Sequence, residues 1–138
     1  MKEETIIFAV PMLLFLASLA STSIGGYIPG KASFYAEPYH PSACNWNDNG
    51  TFIISVSDAL WDNGNACGRK YVVWCTPVSE GIFQNCTDGD ITVGYLVTVV
   101  DYCGHCNDLT MLLSQEIFSA MTNTENGSIQ ILYEEIFI

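Results

Sequence analysis

Four adjacent residues, Cys103-Gly104-His105-Cys106, concentrate the reactive side chains of this sequence. Two cysteines with two residues between them can cycle between dithiol and disulfide. Cys103 would act as a low-pKa thiolate nucleophile, and His105 would tune it. The same cluster offers zinc ligands through Cys103, His105 and Cys106. A third role is structural, a disulfide that pins a loop. Cys44, Cys67, Cys75 and Cys86 bring the cysteine count to 6, so the tetrapeptide belongs to a larger set.

Redox catalysis on a thioredoxin-type fold needs further strands, a long helix and a proline-bearing loop besides the CxxC pair. The chain after Cys106 is short and contains no proline. A finger-type zinc site needs a second CxxC or an HxxxH pair, and the sequence has neither. The structural disulfide is therefore retained, with CGHC thiol–disulfide oxidoreduction as a remote alternative. No cofactor and no metal are expected, and no residue is given a catalytic role.

The compartment supports a disulfide role. Met1-Lys2 leads into an apolar run from Ile6 to Ala20, closed by small residues through Ser21-Thr22-Ser23. This is the layout of a secretory signal peptide, although Glu3 and Glu4 dilute its positive start. The run is short for a membrane span of about 20 residues. Residues 1–26 are read as a signal peptide and 27–138 as one domain with no membrane span after cleavage. In an exported protein an even cysteine count reads as a disulfide framework.

The chain carries 15 acids against 4 lysines and arginines, a net charge of −11. Past residue 26 the cations are Lys31, Arg69 and Lys70. Such a surface repels phosphate backbones, which excludes nucleic acid as a partner. It suits anionic lipid and acidic pectin equally badly, and it keeps an extracellular domain soluble. A monomer is expected. Sequons at Asn49, Asn85 and Asn126 mark glycosylation sites in turn-like stretches.

The elements that must position these residues are short. Lys31 to Tyr35, Thr51 to Val56, Tyr71 to Cys75, Ile91 to Val100 and Ser128 to Tyr133 read as strands, separated by Gly, Asn, Asp and Pro. Ser57 to Trp61 reads as one helical turn capped by Ser57. Ser114 to Met121 reads as a helix with Ser114 at its N-cap, Glu116 at its positive end and Ile117, Phe118 and Met121 on its apolar face. Many short strands with one or two small helices predict an all-β dominated, compact barrel. The stretch Ile91 to Val100 is long for such a strand, so Gly94-Tyr95-Leu96-Val97 is read as a bulge, a genuine insertion or an error in the gene model.

Four segments in order carry a resemblance: Gly30-Lys31-Ala32-Ser33-Phe34-Tyr35 with Pro38-Tyr39 and Pro41-Ser42-Ala43-Cys44; Leu60-Trp61-Asp62-Asn63-Gly64-Asn65-Ala66-Cys67-Gly68-Arg69-Lys70-Tyr71; Val99-Val100-Asp101-Tyr102-Cys103; and Leu113-Ser114-Gln115-Glu116-Ile117-Phe118. Together they resemble plant natriuretic peptides, expansin-like proteins built on the domain of family-45 endoglucanases. The resemblance implies a single six-stranded double-psi β-barrel and the pairs Cys44–Cys67, Cys75–Cys86 and Cys103–Cys106.

It also implies where carboxylates would stand in an inverting glycosidase, which needs an acid and a base across the sugar. One position is Ala36, beside Glu37; the other is Leu112. Both are apolar here, and Asp101 alone cannot serve as acid and base on opposite faces. Glu37 or Asp108 would substitute only through a shifted loop. Asp101 is expected to bond backbone amides and to fix the loop carrying Cys103. The chain is therefore read as no enzyme.

The resemblance favours a secreted apoplastic signal in water and ion homeostasis and stress responses, acting through a plasma-membrane receptor. Trp61, Asn63 and the exposed basic pair Arg69 and Lys70 are its expected contacts. The alternative is an expansin-like module that binds or loosens cell-wall polysaccharide through a groove containing Tyr35, Tyr39, Asp101 and Tyr102, with Trp46 and Trp61 as further stacking rings. For any single aromatic, packing in the core or at the rim competes with that role. Non-reducing peptide mass spectrometry of the secreted protein is expected to give the three implied pairs, no free thiol and a mature N-terminus near residue 26. A readily reduced Cys103–Cys106 pair beside unpaired cysteines would instead restore the redox chemistry.

Overall fold

The computed structural model describes residues 26–47, 50–79, 81–84, 86–87 and 93–138. The signal-peptide assignment, Gly26 apart, lies outside the described residues, as do Asn49 and Asn85. Six strands close into a barrel: β1 (Ile28–Tyr35), β2 (Ile53–Val56), β3 (Lys70–Cys75), β6 (Tyr95–Tyr102), β7 (Met111–Ser114) and β8 (Ile129–Ile136), in the order β1-β7-β2-β6-β3-β8. The pairs β1–β7 and β2–β6 are parallel and the rest antiparallel. A small hairpin, β4 (Val78–Ser79) with β5 (Ile82–Phe83), projects between β3 and β6. Helices α1 (Asp58–Trp61) and α2 (Gln115–Met121) follow β2 and β7.

Period-two alternation builds the interior. Tyr71, Val73 and Cys75 on β3, Ile129, Ile131 and Tyr133 on β8, and Met111 and Leu113 on β7 all point inward. α2 closes the barrel with Ile117, Phe118 and Met121, and the Ser114 hydroxyl accepts from the Ile117 amide at 3.4 Å. Phe118 is fully buried and its ring centroid lies 4.8 Å from that of Phe34. Ser57 stands at the N-cap of α1, yet its side chain makes no capping bond; its carbonyl accepts from the Leu60 and Trp61 amides instead.

Two sequence expectations change. β7 was hidden because Met111–Ser114 runs straight into α2, so its four residues merge with the helical pattern. No bulge lies at Tyr95–Val97. Tyr95, Leu96 and Val97 form a regular antiparallel ladder with Val73, Val72 and Tyr71. The bulge is at Val100: Ile54 pairs with Val99, but Ser55 pairs with Asp101. The extra residue turns Val100 into a second apolar cluster outside the barrel and re-aims Asp101. Gly94 is required for a different reason, since a Cβ there would sit 2.5 Å from Val72 Cγ1.

All six cysteines are paired: Cys44–Cys67, Cys75–Cys86 and Cys103–Cys106, with no free cysteine among the described residues. The first ties the segment after β1 to the turn before β3, and the second ties the end of β3 to the chain beyond the hairpin. Replacing Phe118 by Ala empties the contact between α2 and β1. It is expected to cost about 3–5 kcal/mol, read as a lower midpoint in denaturant unfolding with an unchanged slope.

Candidate functional site

A lateral row of residues crosses the outside of the barrel. Ser33 pairs with Leu112, Leu112 with Ser55, and Ser55 with Asp101. The residues flanking Ser33, Leu112 and Ser55 along their strands belong to the interior cluster, so these three face outward. The row spans β1, β7, β2 and β6. Leu112 lies at its middle and Asp101 two strands away, on the order of 10 Å at the usual strand spacing. Ala36 follows directly on β1. The row therefore holds one carboxylate, and an apolar side chain fills the other position. Asp101 Oδ1 accepts from the Ala43 and Tyr102 amides, each at 2.9 Å. It braces the segment leading to Cys44 rather than the Cys103 loop, whose Cys103 amide donates to the Val56 carbonyl.

Tyr35 and Tyr39 take up a different position from that of exposed stacking rings. Tyr39 is only 6% exposed and packs with Ile53 and Val100, against which Tyr35 and Trp46 also lie. The Tyr35 and Tyr39 rings meet edge-on at 5.0 Å. The Tyr39 hydroxyl donates to Glu116 Oε2 at 2.5 Å and accepts from the Gln115 amide at 3.2 Å. Burial, then the bond to Glu116, pushes the Tyr39 phenol up to about 12. Burial and the nearby charge of Asp101 raise the Tyr35 phenol as well, so both are neutral donors at physiological pH. The bulge at Val100 is what allows this second cluster, and no local pattern marks it.

At the other end of the barrel, Trp61 and Tyr102 stack with centroids 5.0 Å apart and an interplanar angle of 26°. The Tyr102 hydroxyl bonds the Asp58 carboxylate, which raises the phenol and fixes the ring. Tyr102 remains 37% exposed. Beside the pair lies a cavity of about 480 Å³, lined by Ser57, Asp58, Cys103, Asn107, Asp108 and Thr110 among others. Lys31 Nζ reaches Asp108 at 3.2 Å at its edge. The Cys103–Cys106 disulfide thus forms part of a cavity wall, with His105 exposed beyond it. Asp58 is the functional candidate that the sequence hid, because its contact with Tyr102 spans 44 positions.

The basic pair is not the free exposed patch expected. Arg69 Nη2 is held by Asp62 at 2.7 Å, and Lys70 Nζ donates to Thr98 Oγ1 at 2.7 Å. Both side chains are half-buried, because the barrel edge offers each a local partner. Asn63 is exposed, in a left-handed conformation with φ 53°. Asn126 is exposed at the end of a 3₁₀ turn and its amide donates to Thr122 Oγ1. Among the described residues, no group of three or more His, Cys, Asp or Glu side chains is arranged to hold a metal ion, and no helix is long and apolar enough to cross a membrane.

Residues 53–133 match the family model described as lytic transglycolase, the double-psi β-barrel family. The chain is 34% identical over 136 residues to EG45-like domain containing protein 2 of Arabidopsis thaliana, covering 99% of this chain and 100% of that one. It is 38% identical over 108 residues to the EG45-like domain containing protein of Citrus jambhiri, covering 77% and 79%. Among solved structures, a variant of Clavibacter michiganensis expansin in complex with cellohexaose superposes with a TM-score of 0.63 at 20% identity. It covers 80% of this chain and 50% of the expansin, and this likeness shows the fold alone. On the closed barrel, its disulfides and these relatives, the chain belongs to the EG45-like domain proteins, an expansin-like family built on the double-psi β-barrel.

Proposed function

We propose that this protein is a secreted, non-catalytic, monomeric module of the apoplast that binds neutral cell-wall polysaccharide. The observation that carries this reading is the outward row itself. It keeps the barrel surface but holds Asp101 alone as a carboxylate, and that group is committed to the Ala43 and Tyr102 amides. Inverting hydrolysis of a glycosidic bond requires two carboxylates with room for a water between them. With Leu112 and Ala36 in the relevant places, the inverting pair is missing, which supports binding over hydrolysis. The structurally similar expansin variant is one that holds cellohexaose, which supports a β-glucan as the ligand class. A net charge of −11 favours neutral over acidic polymers.

The Trp61–Tyr102 pair offers an exposed aromatic edge of fixed orientation beside a polar cavity. Apolar faces of pyranose rings stack on aromatic ring faces, while Asp58, Asn107 and Thr110 supply acceptors and donors for hydroxyls. A receptor-directed signalling role, as in plant natriuretic peptides, draws less support from the electrostatics, since the Arg69 charge is paired with Asp62 and the Lys70 side chain is tethered to Thr98.

Co-sedimentation of the secreted protein with insoluble cellulose and xylan tests the proposal. Wild type is expected in the pellet, and Trp61→Ala and Tyr102→Ala are each expected to weaken binding about 2- to 10-fold. No reducing ends should appear when soluble glucan is supplied. A protein that stays in the supernatant with every neutral polymer, or one that releases sugar, would reject it.

A further inference from the structure

The segment from Ala36 to Ala43 leaves β1, crosses the outside of the barrel and ends at the Cys44–Cys67 bond. It has a cleft on each side. One, of about 440 Å³, is lined by Ala36, Glu37, Gln115, Glu116 and Ser119. The other, of about 290 Å³, is lined by Glu37, Pro38, Tyr39, His40 and Gly50. Glu37 lines both, so residues 36–40 form the partition between them. The partition is fastened at Tyr39 through Glu116 and the Gln115 amide, and at Ala43 through Asp101.

The layer beneath this strap is imperfectly matched to it. Two polar atoms there, the Tyr35 hydroxyl and Trp46 Nε1, are buried without a hydrogen-bond partner among the described residues. Both residues pack against the cluster of Tyr39, Ile53 and Val100. Native interiors rarely leave such groups unpaired, and each exception calls for an explanation such as a functional role or a missing partner. Two donors orphaned under one strap mark a surface whose polar pattern fits something other than the strap.

Resting on the reading of this protein as a saccharide binder, we propose that the two clefts are halves of one saccharide-binding groove, divided by the Ala36–Ala43 strap and latched by Tyr39, with Tyr35 and Trp46 as its hidden donors. Lifting the strap joins the clefts, frees Asp101 from Ala43 and Glu116 from Tyr39, and exposes both orphaned donors. The opened surface then offers two neutral donors and two carboxylate acceptors around apolar Ile53 and Val100. That pattern suits a hydroxyl-rich, uncharged chain; Glu37, Glu116 and Asp101 repel an acidic one. Affinity is set partly by the fraction of molecules with the strap open, because the apparent constant is the intrinsic one divided by that fraction.

Cellohexaose titrations and hydrogen exchange on the full secreted chain test this with Tyr39→Phe and Trp46→Phe. Tyr39→Phe keeps the ring but removes the latch. It is expected to bind on the order of tenfold tighter, the worth of one bond to a charged group, and to exchange the Ala43 and Gln115 amides faster. Trp46→Phe is expected to bind about fivefold more weakly without a lower melting temperature. If Tyr39→Phe does not fold, Glu116→Gln weakens the same latch. Binding by Tyr39→Phe alone would also support the strap, showing the wild-type groove shut. Equal cellohexaose affinity in wild type and both variants would overturn the strap while leaving the Trp61–Tyr102 site intact. No binding by any variant would overturn both, and unchanged exchange at Ala43 and Gln115 in Tyr39→Phe would overturn the latch.

Discussion

Closure of the barrel rests on β1. Its Ala32 is fully buried and pairs with Met111 of β7 on one side and Ile129 of β8 on the other. The first half of β1 pairs with β8 and the second half with β7, the two ladders meeting at Ala32, and a closed barrel has no edge on which another chain could grow. The remaining structure is arranged around that seam. α2 caps the interior from the end of β7, Phe34 of β1 meets Phe118 of α2, and the strap starts where β1 stops. A side chain larger than Ala32 would have to fit between two strands fixed by separate partners, where interiors have little spare volume.

The fold was largely legible because its strands are punctuated. Gly, Asn, Asp and Pro bracket the runs that became β1, β2, β3 and β8, and Ser114 with Glu116 announced α2. β7 escaped because a four-residue strand that abuts a helix has no period of its own. The disulfide pairs were carried by the resemblance, since spacing alone does not choose among the possible partners. Much of the site was illegible for a related reason. Tyr39 meets Glu116 across 77 positions, and Tyr102 meets Asp58 across 44. Neither contact leaves a local trace. The bulge at Val100 is a one-residue offset between two strands, and it decides that Tyr39 faces an apolar cluster rather than solvent. Composition showed that the protein is acidic, but not that Arg69 is ion-paired with Asp62 while Lys70 is tethered to the Thr98 hydroxyl.

The two ends of the barrel differ in how their polar groups are treated. Around α1, each charged group has a partner that also orients a ring or a turn: Asp58 holds Tyr102, Asp62 holds Arg69, and Asp108 holds Lys31. These pairs are exposed and contribute little to stability, but they reduce the freedom of the residues they touch. Beneath the strap the reverse holds, with well-packed aromatic rings and two unpaired donors. Good apolar packing with incomplete hydrogen bonding is a compromise that a stable core does not need.

Barrel closure also sets an order in time. Strands β7 and β8, which flank β1, are among the last to leave the ribosome, whereas β1 is the first strand of the domain to emerge. β1 gains its first neighbour only when β7 is complete at Ser114 and its second only with β8, and the antiparallel contact with β8 joins segments about as far apart as this domain allows. Non-local pairing of that kind is slow and leaves apolar strands exposed while it waits. The barrel therefore closes only once β8 has emerged, and until then the apolar faces of β1, β2 and β3 lack part of their cover.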